Sequence, residues 1–122
     1  RATDVLYRLM YQYNCTVDRV IDGDTVDAIV DLGFDITIKK RVRLYGIDAP
    51  ETRTRDLDEK RRGFITKARL IQILESNNNR FILNSIKIGK FGRCVGIIYI
   101  DEKRKSINTM LIEEGLANQY NK

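Results

Sequence analysis

The chain has no histidine among its 122 residues. That absence excludes Ser-His-Asp and Cys-His catalysis, histidine-ligated zinc and any imidazole general base. There are two cysteines, Cys15 and Cys94, far apart in sequence. Each sits in an apolar-alternating segment, so buried free thiols are expected rather than a disulfide. No apolar run approaches the roughly 20 residues needed to span a membrane, and no signal-peptide pattern is present. The sequence begins at Arg1 rather than methionine. If a leader or anchor had been removed, a secreted or membrane-anchored extracellular location would be expected. There is one proline, Pro50, and it stands between two acids, Asp48 and Glu51.

What is present is positive charge and enough apolar residues for one core. The net charge is +5 with 43% hydrophobic residues, and the pI is about 9.3. The length suits a single domain over residues 1–122. The charge favours an anionic partner, nucleic acid being the commonest, with salt-dependent binding through counterion release. A soluble protein that is merely basic has the same composition. Nothing in the sequence demands a dimer, so a monomer is expected.

The pattern reads as three strands, a helix, two strands and a short helix. Residues 13–21 form the first strand, and Asp22-Gly23-Asp24 is a turn signal. Residues 25–32 alternate, with Val26, Ala28, Val30 and Leu32 on one side. After a hairpin at Gly33, residues 36–45 return with Ile36, Ile38, Val42 and Leu44 inward and Arg43 outward. A helix over 58–75 places Phe64, Ala68, Ile71 and Glu75 along one stripe, with Ile65 and Leu74 beside it. Strands follow at 80–88 and 94–100. A helix over 106–114 stops at Gly115, a good C′ residue, after which Leu116 folds back on the core. This order fits a mainly β, α+β architecture: a five-stranded OB-type barrel with a helix between strands three and four and a short C-terminal helix.

Three stretches carry chemistry. In VIDGDTV, Asp22 and Gly23 suit a plain turn, but Asp24 begins a strand, where aspartate is disfavoured. In RVRLYGIDAPET, Arg43 runs toward a proline corner that holds Asp48 and Glu51. If Gly46 marks a bulge, the register shifts and Asp48 joins Arg43 on one side. Oxygen ligands without histidine or thiolate suit a hard cation, Ca²⁺ or Mg²⁺. A proline corner with solvated acids is the plainer reading of the same residues. In GKFGRCVG, Arg93 emerges from a glycine-framed turn and alone would be a solvated hairpin arginine. Together, two arginines and three acids at strand ends are what phosphodiester cleavage needs: cations against the phosphate and a carboxylate for the water.

The blocks VIDGDTV, RVRLYGIDAPET, FGR and INTMLIEEGLA, in this order from about Val17 to Ala117, resemble the staphylococcal nuclease (thermonuclease) family. The resemblance implies that Asp24 and Asp48 are Ca²⁺ carboxylate ligands, with the backbone carbonyl of Ala49 as a third. It implies that Glu51 acts on the attacking water, as general base or as its orienter. Arg43 would contact the phosphate, and Arg93 the phosphate and leaving group. Lys90, Phe91, Arg53, Arg55 and Tyr120 would line the substrate path. Members of the family cleave DNA and RNA with little sequence preference and leave 3′-phosphates. The chain departs from the family pattern in several places. Ala49 replaces a threonine and Phe91 a tyrosine; the loop after Glu51 is shorter and the second hairpin longer. The chain ends before a final helix, and Tyr120 is the nearest counterpart to a base-stacking tyrosine, one position off.

Arg53, Arg55, Lys60, Arg61 and Arg62 either track a nucleic-acid backbone or form a solubilising helix face. Lys103-Arg104-Lys105 reads as surface. One alternative function is a nucleic-acid- or protein-binding module, as in the degenerate nuclease-like barrels of Tudor-containing proteins. Retention of Asp24, Arg43, Asp48, Glu51 and Arg93 weighs against it. Another is a Mg²⁺ nuclease with an acid-x-Lys motif, matched by Asp58-Glu59-Lys60 and Asp101-Glu102-Lys103. Both stand in loops or helix starts rather than on strands.

Overall fold

The structure, a computed structural model, describes residues 11–88, 94–101 and 103–120, with Lys87 and Ile88 as backbone only. The elements in chain order are β1 (Gln12–Asp22), β2 (Thr25–Asp31), β3 (Thr37–Leu44), β4 (Ile47–Asp48), α1 (Leu57–Glu75), β5 (Arg80–Ile88), β6 (Cys94–Tyr99), α2 (Ile107–Glu113) and β7 (Asn118–Gln119). Five strands close a barrel in the order β1-β2-β3-β6-β5, with β5 returning to β1. All neighbours are antiparallel except β3 and β6, which run parallel. This is the mixed, closed OB-type barrel with helices that the strand pattern implies.

The barrel interior follows from alternation. Val26, Ala28 and Val30 of β2, Val42 and Leu44 of β3, Phe81 and Leu83 of β5, and Cys94 and Ile98 of β6 are all buried. Ile107 and Leu111 of α2 join them with no exposed surface. Asp56 caps α1 by accepting from the amides of Asp58 and Glu59, and Ser106 caps α2 by accepting from Thr109 N. Past α2, Gly115 takes a positive φ of 74°, and Leu116 packs against the core.

Two expectations about the core are corrected. Leu32, Ile36 and Ile38 are exposed, at 42%, 54% and 37%, not inward. The β2–β3 ladder extends from Thr25↔Arg43 to Asp31↔Thr37, but among the described residues β6 covers β3 only at Val42–Leu44. The far end of that hairpin therefore stands beyond the barrel wall. The helix stripe is also displaced. Phe64 and Ile65 are about half exposed and Ala68 and Glu75 are exposed; Leu74 is buried and Ile71 packs against the core as expected, and Gly63, Thr66, Leu70 and Ile73 are buried with them. The buried face carries small residues at its start because a loop and a turn press closely on it there.

Cys15 and Cys94 are buried free thiols. Burial, with smaller contributions from neighbouring Cys94 and Asp31, pushes the Cys15 thiol up to about 12 from its ordinary 9.0. A raised folded value means that this stability is fully present below the unfolded value and is lost as pH rises toward the folded one. The urea midpoint should therefore fall between about pH 9 and pH 11, and fall less steeply in Cys15→Val, which removes one of the two buried thiols that ionise on unfolding and leaves Cys94, itself raised by burial. Equal slopes for the two proteins would contradict this.

Candidate active site

The acids and the arginine meet where β2 and β3 begin and end. The tight turn Asp22-Gly23-Asp24 joins β1 to β2, and Thr25 lies opposite Arg43 in the ladder. The amide of Leu44 donates to Asp24 O at 2.8 Å, which fixes the end of β3 on that turn. Asp24 is buried, with 8% of its surface exposed. Its Oδ1 accepts from Thr25 Oγ1 at 3.0 Å and its Oδ2 from the Ala49 amide at 2.8 Å.

The chain then turns at Gly46, whose φ is +79°. The turn starts the short strand β4, which pairs with β7 through Ile47↔Gln119 and Asp48↔Asn118. Asp48 thereby reaches Arg43, through a turn into a second, two-stranded sheet rather than through a bulge within one strand. Arg43 Nη1 stands 3.5 Å from Asp24 Oδ2, and Nη2 stands 3.5 Å from Asp48 Oδ1. Nη1 also donates to Leu44 O at 3.0 Å. The guanidinium is largely enclosed, with its side chain 19% exposed, while Asp48 is 63% exposed. One carboxylate is thus held from below and one stands open to solvent, with a planar cation between them.

Glu51 follows Pro50 with its side chain exposed. Its amide donates to Glu59 Oε2 at 3.1 Å. The next residue, Thr52, is buried and donates from Oγ1 to Asp22 Oδ1 at 2.6 Å. Arg53 and Arg55 are exposed on the same loop, as are Lys60 and Arg61 on α1. Arg62 pairs with Asp58 at 3.3 Å. Lys90, Phe91 and Arg93 lie outside the described residues. Tyr120 donates its amide to Gly46 O at 2.8 Å. It lines a cleft of about 310 Å³ with Tyr45, Ile47, Ile112 and Gln119, and that cleft does not include Asp24, Arg43 or Asp48.

Several residues of this corner carried no role in the sequence reading. Thr52, Glu59 and Gly63 hold the Glu51 loop; Thr52 closes the block RVRLYGIDAPET and Glu59 stands in the acid-x-Lys match, but neither was given this part, and no motif marks Gly63. Asn108 is buried in α2 and bonds three backbone groups: Ile98 N donates to its Oδ1 at 3.0 Å, and its Nδ2 donates to Tyr45 O at 2.8 Å and Gly96 O at 3.3 Å. It ties the turn before β4 to the barrel wall. The available signal was a polar residue on an otherwise apolar helix face.

Among the described residues, no group of three or more His, Cys, Asp or Glu side chains converges as a metal cage. The oxygens at this corner are the carboxylates of Asp24 and Asp48 and the adjacent main chain, all hard donors. With Asp48 open to water, this donor set suits a hard cation that keeps much of its coordination as water, within the usual total of about 6–8 oxygens for calcium.

Comparison with known proteins agrees with this architecture. Protein ParB of Escherichia coli is 28% identical over 111 residues, which cover 85% of this chain and 55% of that protein. Endonuclease YncB of Bacillus subtilis (strain 168) is 28% identical over 113 residues, covering 85% and 46%. Micrococcal nuclease of Shigella flexneri is 29% identical over 113 residues, covering 85% and 56%. The chain spans about half the length of these curated relatives. The family model described as staphylococcal nuclease homologue matches residues 41–122, from the first arginine of the site strand through β7. On that match, over more than half of its length, the chain belongs to the staphylococcal nuclease homologue family.

Proposed function

We propose that the chain is a Ca²⁺-dependent nuclease that hydrolyses phosphodiester bonds of DNA, and of RNA, with little sequence preference, leaving 3′-phosphates and acting as a monomer. The observation that carries this reading is Arg43 held at 3.5 Å from both Asp24 and Asp48. Ca²⁺, held by Asp24, Asp48 and the Ala49 carbonyl, would supply positive charge against the phosphate oxygens. Arg43 binds a phosphate oxygen through a guanidinium already oriented by Leu44 O, so little reorganisation is needed as charge builds. The exposed Glu51 carboxylate orients a water or takes its proton. Arg93 stabilises the leaving oxygen. Arg53 and Arg55, together with Lys90, Phe91 and Tyr120, contact the substrate strand.

The test is digestion of DNA and RNA with Ca²⁺, with Mg²⁺ and with chelator, followed by end-group analysis. Chelation should remove nearly all cleavage, Ca²⁺ should restore it better than Mg²⁺, and the products should carry 3′-phosphates. Full activity in excess chelator, or 5′-phosphate ends, would overturn the reading.

A further inference from the structure

Glu51 is exposed and lies in the loop between β4 and α1. A carboxylate that works on a water must be held in one place, yet this residue is exposed. Its main chain is held instead, from three directions. Glu59 Oε2 accepts from the Glu51 amide at 3.1 Å. Gly63, one helical turn further along α1, lies so close that an added Cβ would stand 2.6 Å from Glu51 O and 2.8 Å from Pro50 O. Thr52 donates to Asp22 Oδ1 at 2.6 Å, which anchors the following residue to the turn that also presents Asp24. Glu59 and Gly63 are four apart and so share one helix face. A single turn of α1 thus grips the amide and the carbonyl of the same residue.

We propose that Glu59 is a positioning residue: through the Glu51 amide, and with Gly63 giving the loop its close seat, it fixes where the Glu51 carboxylate stands. The inference rests on the nuclease reading above. An acid in the first turn of a helix also favours the helix dipole, but that role needs no contact with Glu51 and does not depend on which side chain Glu51 carries.

The experiment compares Glu59→Ala, Glu59→Gln and Gly63→Ala with the unaltered chain, each also combined with Glu51→Gln. The readouts are kcat and KM on a DNA oligonucleotide in saturating Ca²⁺, and amide hydrogen exchange at Glu51. A misplaced catalytic group costs up to about 100-fold. Glu59→Ala should lower kcat by about tenfold or more with KM nearly unchanged, and should speed exchange of the Glu51 amide. Glu59→Gln keeps an acceptor oxygen and should recover most of the rate. Gly63→Ala should lower kcat although alanine favours a helix. In the Glu51→Gln background, Glu59→Ala should cost nothing further. Unchanged kcat in Glu59→Ala, an equal loss in both backgrounds, or unchanged exchange at Glu51 would overturn the proposal. Failure of the unaltered chain to cleave with any metal would overturn the nuclease reading itself, and with it the catalytic meaning of this clamp.

Discussion

Arg43→Lys should lower kcat by about two to three orders of magnitude while the fold survives. One planar group here meets three partners: Nη1 faces Asp24 Oδ2 and donates to Leu44 O, and Nη2 faces Asp48 Oδ1. An ammonium keeps the charge but offers a single point in place of a fork. It cannot stand between both carboxylates and still present a second donor to a phosphate. Retained charge beside the buried Asp24 should keep the melting temperature within a few degrees of wild type. Measuring kcat in saturating Ca²⁺ alongside thermal unfolding separates the two effects. A lysine variant that cleaves near the wild-type rate would reduce Arg43 to a charge partner of two aspartates.

Gly23→Ala should destabilise the fold by about 3 kcal/mol, although it adds only a methyl group. A Cβ there would lie 2.3 Å from Thr66 Cγ2, 2.9 Å from Thr66 Cβ and 3.2 Å from Ala49 Cβ. Thr66 is 1% exposed and its hydroxyl donates to Leu116 O at 2.6 Å, so it has little room to retreat. If the turn retreats instead, Asp22 draws away from Thr52 and Asp24 from the Ala49 amide. Urea denaturation of Gly23→Ala, alone and with Thr66→Ser, tests this. The serine keeps the hydroxyl and removes the nearest clashing methyl, so the pair should regain part of the loss. A Gly23→Ala chain as stable as wild type would show that the helix and turn are not in such close contact.

Much of the barrel was legible because its strands bury one face each. In β6, and in β2 from Val26 onward, the buried positions fall on every second residue. The candidate site was legible in part for the same reason: an aspartate just before one strand and an arginine near the end of its neighbour come together when the strands pair. What was not legible depended on neighbours distant in sequence. Leu32, Ile36 and Ile38 have the apolar pattern of a wall, but how far β6 extends beside β3 cannot be read from β3. The stripe through Phe64, Ala68, Ile71 and Glu75 missed the start of the contact face, which begins with the small residues Gly63 and Thr66. The β4–β7 ladder has only two residue pairs, too few to show a period. The hold on Glu51 combines a side chain on its amide, a side-chain pair at Thr52 and the close approach of a glycine, all across a loop, which leaves no spacing to recognise.

The parallel seam between β3 and β6 bears on how the protein is made. Its partners, Val42↔Cys94, Arg43↔Val95 and Leu44↔Gly96, lie almost half the chain apart. During synthesis β1, β2 and β3 emerge first and can pair as a local meander, so Asp24 and Arg43 are brought together early. β6 emerges only after α1 and β5. Until then the edge of β3 is open, with unpaired backbone groups beside the apolar Val42 and Leu44, the condition that invites pairing with another chain. The strand that carries the arginine of the site is therefore also an exposed edge on the ribosome. Its lysines and arginines, Lys39, Lys40, Arg41 and Arg43, place on that edge the charge that discourages such encounters.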